Sequence, residues 1–421
     1  MNFGKQEQGS KGRLWPLVVW GAGDLYFILS VIIAILFGIL SPDLQKELHL
    51  SSGEVGVLGS VFFLSYGIAQ FMAGALMDAI GPRWTLAGSG VLATVGLFLL
   101  STAGSLSQAC IAQLLLGVGL STSYVGAIYL AGLWFPPQKF SLLSGVTQTS
   151  ASLVSTVLIL GMALSGALVS FRTIMGIAAV VVLVTALLMA LVVHRPEGEV
   201  QAKGASGKAR LHILDDLKKL MRIPQFWAAT GFFSVTFGVL MAFSNLWNIP
   251  SILAYGHTLK LAAEMGAMIP LGCAFGAISA GWLAGKSAHP SRVARYFLVG
   301  MIILGAALVY GPVYSDPVIF GVIFGWGFFL GGSVLGFPLV SQHLEDSLKG
   351  TGFGLMASIA YIVSAVLQLI IGLLLEPVPS PGPALIQDFK FALTTLMVTL
   401  VAGFFASFWL EDRKDSTRPH S

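Results

Sequence analysis

Gly74-Ala75-Leu76-Met77-Asp78-Ala79-Ile80-Gly81-Pro82-Arg83 separates two long apolar runs, residues 53–77 and 84–100. Asp78 stands one helical turn after Gly74, and Arg83 follows the Gly81-Pro82 pair with the opposite charge. Glycine reaches backbone angles closed to other residues and proline lacks an N–H, so the pair ends one helix and starts the next. A carboxylate and a base at such a corner, flanked by apolar helices, are polar groups held at a bilayer surface. One corner of this kind in isolation is an ordinary solvated turn. This one lies between the second and third of many apolar segments, and that context decides the fold.

A bilayer core requires about 20 apolar residues per helix. Twelve stretches qualify: 15–40, 53–77, 84–103, 106–133, 141–169, 173–193, 225–249, 261–284, 295–313, 317–341, 351–375 and 389–410. Of the 421 residues, 56% are hydrophobic and only 10% are charged. A soluble globule carries about a quarter charged residues, so the composition is that of a polytopic membrane protein. The net charge of +4 is no argument for nucleic acid, because the bases are scattered over loops. Cys110 and Cys273 both lie within apolar runs and read as small core residues, with no sign of a disulfide or metal site. The run 15–40 is longer than a signal peptide's apolar region and lacks a small-residue cleavage pattern, which makes it a retained first span.

Lys and Arg set the orientation. With the N-terminus inside, only Lys46, Arg172, Lys260 and Lys390 of the 23 bases fall on the outer side. The expected organisation is a cytoplasmic tail (1–14), a six-span bundle (15–194), a cytoplasmic linker (195–224), a second six-span bundle (225–410) and a cytoplasmic tail (411–421). The location is the cell's inner (cytoplasmic) membrane. Within the linker, 197–209 is rich in Gly, Lys and Ala and reads as flexible. Residues 211–221 set Leu214, Leu217 and Met221 against Lys218, Lys219 and Arg222, which predicts either an amphipathic helix on the inner leaflet or a solvated loop.

The halves repeat. Gly74-x-Leu76-x-Asp78 returns as Gly281-x-Leu283-x-Gly285, Gly117-x-Gly119 as Gly325-x-Gly327, and Gly145 as Gly354, all at an offset of about 208 residues. Glycine is common here and each match alone is weak, but one shared offset argues for two duplicated bundles. The second copy lacks the acid. The opening stretch resembles the signature loop of the major facilitator superfamily, G-x-L-x-D-x-x-G-x-[RK]-[RK]. Gly74, Leu76, Asp78, Gly81 and Arg83 match, and Trp84 replaces the second base. The hairpin Leu130–Phe140 through Thr149 likewise resembles the junction between the fourth and fifth spans of bacterial facilitator permeases, with Gln138-Lys139 where two bases are expected. The resemblance implies an all-α membrane fold of twelve helices in two six-helix bundles. It also implies a cytoplasmic latch at Gly74, Asp78, Gly81 and Arg83, in which the carboxylate bonds to the start of the eleventh span.

Polar residues inside a bilayer are costly, so their placement is informative. Spans 3, 6, 9 and 12 are almost wholly aliphatic. Span 5 sets Ser141, Ser144, Gln148, Ser152 and Ser155 on one face, and span 4 sets Gln113, Gly117, Ser121 and Tyr124 on another. Span 11 adds Ser358, Tyr361 and Gln368, and span 2 adds Tyr66 and Gln70. In the family, spans 3, 6, 9 and 12 face lipid and the others line a central cavity, which the pattern matches. A lone Ser is explained by interhelical hydrogen bonding. The larger groups Tyr66, Gln70, Gln113, Tyr124, Gln148, Tyr361 and Gln368 are the candidate cavity lining, because they need room and partners.

Asp24 is the one acid well inside a span, about 13 Å from Trp15 at 1.5 Å per residue. A carboxyl at that depth resists ionising. It is the candidate for proton coupling or for pairing with a cationic substrate; the bland reading is an acid wetted from the cytoplasmic end. No Lys or Arg lies comparably deep, so phosphates and polycarboxylates lack their usual clamps. Glu54 and Glu264 suit helix N-termini. Asn245, Trp247 and Asn248 precede Pro250 and read as an outer gate at a helix break or as interfacial anchors.

The function expected is a secondary active transporter, a proton-coupled importer of a small polar nutrient such as an amino acid. It should act as a monomer in the lipid bilayer, with a proton as coupling ion and no nucleic-acid partner. One alternative is export of drugs or metabolites. Drug–proton antiporters of this family carry G-x-x-x-G-P-x-x-x-G-G on span 5, and here Gly145, Gly161 and Gly166 occur without the proline. Another is a transporter-like sensor or lipid-handling protein. No phosphate loop, catalytic constellation or metal spacing among the seven His occurs, so neither enzyme activity nor a cofactor is expected.

Overall fold

The computed structural model describes residues 4–135, 137–165, 170–194, 215–312, 315–375 and 383–412. Within these, the side chains of 4–13, 78, 137–142, 144, 145, 148, 162–165, 346, 347, 349, 350 and 383–385 are not described. The flexible linker expected at 197–209, the carboxylate of Asp78 and the amide of Gln148 therefore lie outside the described residues.

The chain divides into two compact units, Met1–Arg210 and Leu211–Ser421. The first holds α1 (Gly4–Leu48), α2 (Ser52–Ala79), α3 (Pro82–Ser101), α4 (Leu106–Trp134), α5 (Pro137–Ser165) and α6 (Phe171–Val192). The second holds α7 (Pro224–Ala254), α8 (Leu259–Lys286), α9 (Pro290–Tyr310), α10 (Asp316–Ser341), α11 (Asp346–Leu374) and α12 (Pro383–Ala406). Among the described residues, eleven helices are long and apolar enough to cross a bilayer. In α5 the apolar stretch is shorter, Thr149–Gly161. The fold is an all-α, twelve-span membrane fold.

Local chemistry sets the helix ends. Ser51 and Glu54 form a reciprocal capping box at the start of α2, Ser51 N donating to Glu54 Oε2 at 2.7 Å. This satisfies backbone donors that a helix start leaves bare. Pro82, Pro224 and Pro290 each open a helix, where their missing N–H costs nothing. At the α2–α3 corner Gly81 takes φ +95°, a conformation a side chain would strain, and Thr85 Oγ1 ties the corner by donating to Leu76 O at 3.1 Å. Trp84, at the second basic position of the signature, lies under the Arg83 guanidinium at 4.9 Å.

In the first unit α3 packs on α4 and α6, and α2 on α4. Gly117 is required there, because a Cβ would meet Ser65 Oγ and the Phe62 carbonyl of α2. At the opposite end of the bundle from Gly81, Arg172 donates to Glu47 Oε2 (2.9 Å), Ser101 O (3.1 Å) and Ala103 O (2.8 Å), joining the ends of α1, α3 and α6. Among the described spans the most outward-facing are α6 and α12, whose exposed large hydrophobic side chains include Val, Leu, Ile and Phe.

Three expectations need correction. The helix of the first span continues to Leu48, past the expected end at 40, because the polar residues 43–47 extend it beyond the apolar run. The seventh span does not break before Pro250: it passes through a π-helical turn, Phe243–Trp247, and resumes as Asn248–Ala254. Residues 215–221 are helical, but the buried residue is Leu220, packed beside Gly352 of α11, while Met221 is exposed.

Candidate functional site

Asp24 is buried in the first unit. Gly23 precedes it and admits α4 so closely that a Cβ would lie 2.8 Å from Leu130 Cδ1 and 3.4 Å from Ala127 Cα. From α5, Ser150 Oγ donates to Asp24 Oδ2 at 3.2 Å, while the hydroxyl of fully buried Thr147 has no hydrogen-bond partner among the described residues. Asp24 Oδ1 has no hydrogen-bond partner among the described residues. One turn earlier on the same face of α1, Trp20 Nε1 is also buried without a partner. Phe27, Ala127 and Ala151 form an apolar floor beside the acid, with Tyr124 stacked against Phe27 at 5.0 Å. The arrangement is an acid held by one hydroxyl on one side and bare on the other, where ionisation is costly unless a cation or water arrives.

The remaining polar positions of the first unit do not converge on this acid. Gln113 lies about 21 Å along α4 from Ala127, at 1.5 Å per residue. It is buried, and its Nε2 lacks a partner, as does Oε1 of buried Gln70. Tyr66 is buried beside Gly117, between the two levels. Serines on the polar faces bond within their own helices. Ser121 bonds to Val118 O, Ser155 to Ala151 O and Ser358 to Gly354 O.

In the second unit Tyr361 stacks edge-on with Phe237 at 5.3 Å. Gln368 is fully buried and neither of its amide atoms has a partner among the described residues.

Sequence reasoning passed over Thr147 and Ser150, although their spacing of three residues was visible, because the larger Gln148 lies between them. It also passed over three bonds that knit α1, α3 and α4: Tyr26 OH to Gly119 O (2.9 Å), Ser123 Oγ to Ser30 Oγ (2.9 Å) and Ser89 Oγ with Thr122 Oγ1 (2.6 Å). No local signal separates such structural hydroxyls from functional ones.

The family model described as Major Facilitator Superfamily matches residues 25–368. The probable nitrate/nitrite transporter NarK2 of Mycobacterium tuberculosis is 24% identical over 382 residues, covering 87% of this chain and 90% of that protein. The solved structure of nucleoside transporter NupG aligns with a TM-score of 0.72 at 13% identity, over 94% of this chain and 100% of that one. A D-xylose–proton symporter aligns with a TM-score of 0.69 at 13% identity, over 94% of this chain and 97% of that one.

Proposed function

The chain belongs to the major facilitator superfamily of transporters, and we propose that it is a proton-coupled importer of a small neutral, zwitterionic or cationic solute. The observation that carries this is Asp24: a buried acid, bonded by Ser150 on one oxygen and bare on the other. A carboxyl in that setting takes up a proton when one side of the membrane reaches it and gives it up when the other does. The D-xylose–proton symporter shares the fold, which is compatible with proton coupling.

NarK2 is named for an anion, but the lining here argues against one. The Lys and Arg on the described helices sit near helix ends, such as Arg83, Arg172, Lys286 and Lys390, and anions are held by such bases within a site. Both termini are placed in the cytoplasm by the base asymmetry, in the inner membrane, with the chain working as a monomer. Gly74, Asp78, Gly81 and Arg83 form the cytoplasmic latch by their match to the family signature. The candidate lining residues of the first unit are Tyr66, Gln70, Gln113, Tyr124 and Gln148, and those of the second unit are Tyr361 and Gln368.

The test is uptake into proteoliposomes of pooled amino acids, sugars, nucleosides and organic acids, and of nitrate, with and without an inward proton gradient. Accumulation of a neutral, zwitterionic or cationic solute only with the gradient is the expected result. Gradient-independent accumulation, or accumulation of nitrate alone, overturns the proposal.

A further inference from the structure

The second unit holds an uncharged polar cluster where α11 meets the π turn of α7. The two helices run parallel and in register. Gly352 of α11 lies beside Phe226 of α7, Tyr361 stacks on Phe237, and Ser364 N lies 3.4 Å from where a Cβ of Gly238 would be. One turn beyond Ser364, Gln368 comes level with residue 242, where the π turn Phe243–Trp247 begins, and α11 contacts that turn. Ser364 Oγ and both amide atoms of Gln368 are fully buried without a partner among the described residues. At the far end of the π turn, Trp247 packs on Phe389 of α12 and Asn248 Nδ2 donates to Gly266 O of α8 at 3.3 Å, so these two side chains serve other contacts. Asn245 Nδ2 is spent on Met241 O at 3.0 Å, a carbonyl at the start of the widened turn.

Unpaired buried amides are costly, and native structures keep them where something else supplies the partner. Single π turns within α-helices are frequent at functional sites for the same reason, since they trade regular bonding for a local site. The chemistry of the missing partner follows from the atoms left bare. Gln368 presents N–H beside C=O, and Ser364 either role. Neither 225–254 nor 351–375 contains an Asp, Glu, Lys, Arg or His. A cation would find no carboxylate on these two helices. An anion would face the bare oxygen of Gln368. We propose that the cluster is a substrate subsite for a neutral amide-type edge, N–H beside C=O, with Gln368 pairing to it edge to edge. This rests on the transporter reading of the chain but not on the role of Asp24.

The experiment measures thermal stabilisation of the purified full chain by matched pairs: L-glutamine and L-glutamate, L-asparagine and L-aspartate, nicotinamide and nicotinate. At least one amide should stabilise the protein while its carboxylate partner does not. Gln368→Met, similar in volume but apolar, should weaken that amide's binding by about tenfold or more while raising the Tm of the empty protein. Binding of no amide overturns the proposal, as does equal binding of the carboxylates. A lower Tm for empty Gln368→Met also overturns it, since the amide is then a satisfied structural group. The comparison of amide with carboxylate on the wild-type protein stands even where the variant does not fold. Failure of proton coupling registers separately, as loss of gradient-driven uptake with amide binding intact.

Discussion

Ser150 Oγ donates to Asp24 Oδ2 at 3.2 Å, so the buried acid of α1 and the polar face of α5 act on one another directly. The same hydroxyl lies 2.9 Å from Thr147 O on its own helix, so its single proton is shared between the carboxylate and that carbonyl. Asp24→Asn keeps the shape and some of these bonds but cannot release a proton. It should abolish gradient-driven uptake and leave counterflow exchange largely intact. Ser150→Ala should lower gradient-driven uptake in part, again sparing exchange. Loss of exchange together with uptake in Asp24→Asn would instead make the acid a direct ligand of a cationic substrate. Wild-type gradient-driven uptake by that variant would sink both roles.

Arg172 predicts a stability effect confined to one end of the first unit. Its fork reaches Glu47 Oε2 and two carbonyls that α3 leaves bare at its end, Ser101 O and Ala103 O. The exposed ion pair contributes little by itself, while the carbonyl bonds satisfy groups a helix cannot pair internally. Arg172→Ala should therefore cost about 1–2 kcal/mol, read as a lower Tm of the purified protein. Glu47→Gln should cost less than half of that. Arg172→Lys should resemble the alanine variant, because an ammonium cannot span three acceptors in one plane. Equal losses from Glu47→Gln and Arg172→Ala would show that the ion pair, not the carbonyl bonds, holds this end.

The fold was legible because hydrophobic runs and corner residues are local signals. Gly81-Pro82 marks the α2–α3 corner as directly in the sequence as in the structure, and Glu54, read as suited to a helix N-terminus, lies in the first turn of α2. Asp24 was legible for the same reason, being an acid among apolar neighbours. The hydroxyl partner of Asp24 was not, because Ser150 arrives from 126 residues away and nothing local distinguishes it from Ser155. The π turn at Phe243–Trp247 was anticipated only as a break at Pro250. Proline signals a lost N–H but does not say whether the helix stops or widens to accommodate it. The stripe from Gln113 to Tyr124 shows what periodicity leaves out. Periodicity put the residues on one face, while the length of α4 spreads them over several levels of the bundle.

Gly117 tests the close approach of α2 and α4. A Cβ there meets Ser65 Oγ and the Phe62 carbonyl, and Tyr66 N lies 2.9 Å away. Backbone cannot move aside as a side chain can, so Gly117→Ala should cost about 1–3 kcal/mol, seen as reduced yield and Tm. Ser65→Ala should restore only part of the loss, because the Phe62 carbonyl remains. Full restoration would show that the hydroxyl alone sets the contact. Gly161, which has open space around its Cβ position, is the control and should accept alanine without loss.

The orientation proposed for the chain rests on basic residues, and labelling tests it without reference to transport. Only Lys46, Arg172, Lys260 and Lys390 fall on the outer side when the N-terminus is placed inside. The insertion machinery retains Lys and Arg on the cytoplasmic side, and short loops near the spans carry most of that bias. Three of these outer bases have structural partners that explain their presence or lie at a helix end. Arg172 is bound as described, Lys390 donates to Gly311 O at 2.9 Å, and Lys46 closes the last turn of α1. The asymmetry is thus larger than the raw count, since these bases serve local packing. In a chain whose Cys110 and Cys273 are replaced by Ala, single cysteines at Ser206 and Ser416 should react with a membrane-impermeant maleimide only after the cytoplasmic face is opened. A cysteine at Lys260 should react in intact cells. Labelling of either of the first two from outside would invert or break the topology, and with it the assignment of Asp78 and Arg83 to the cytoplasmic side.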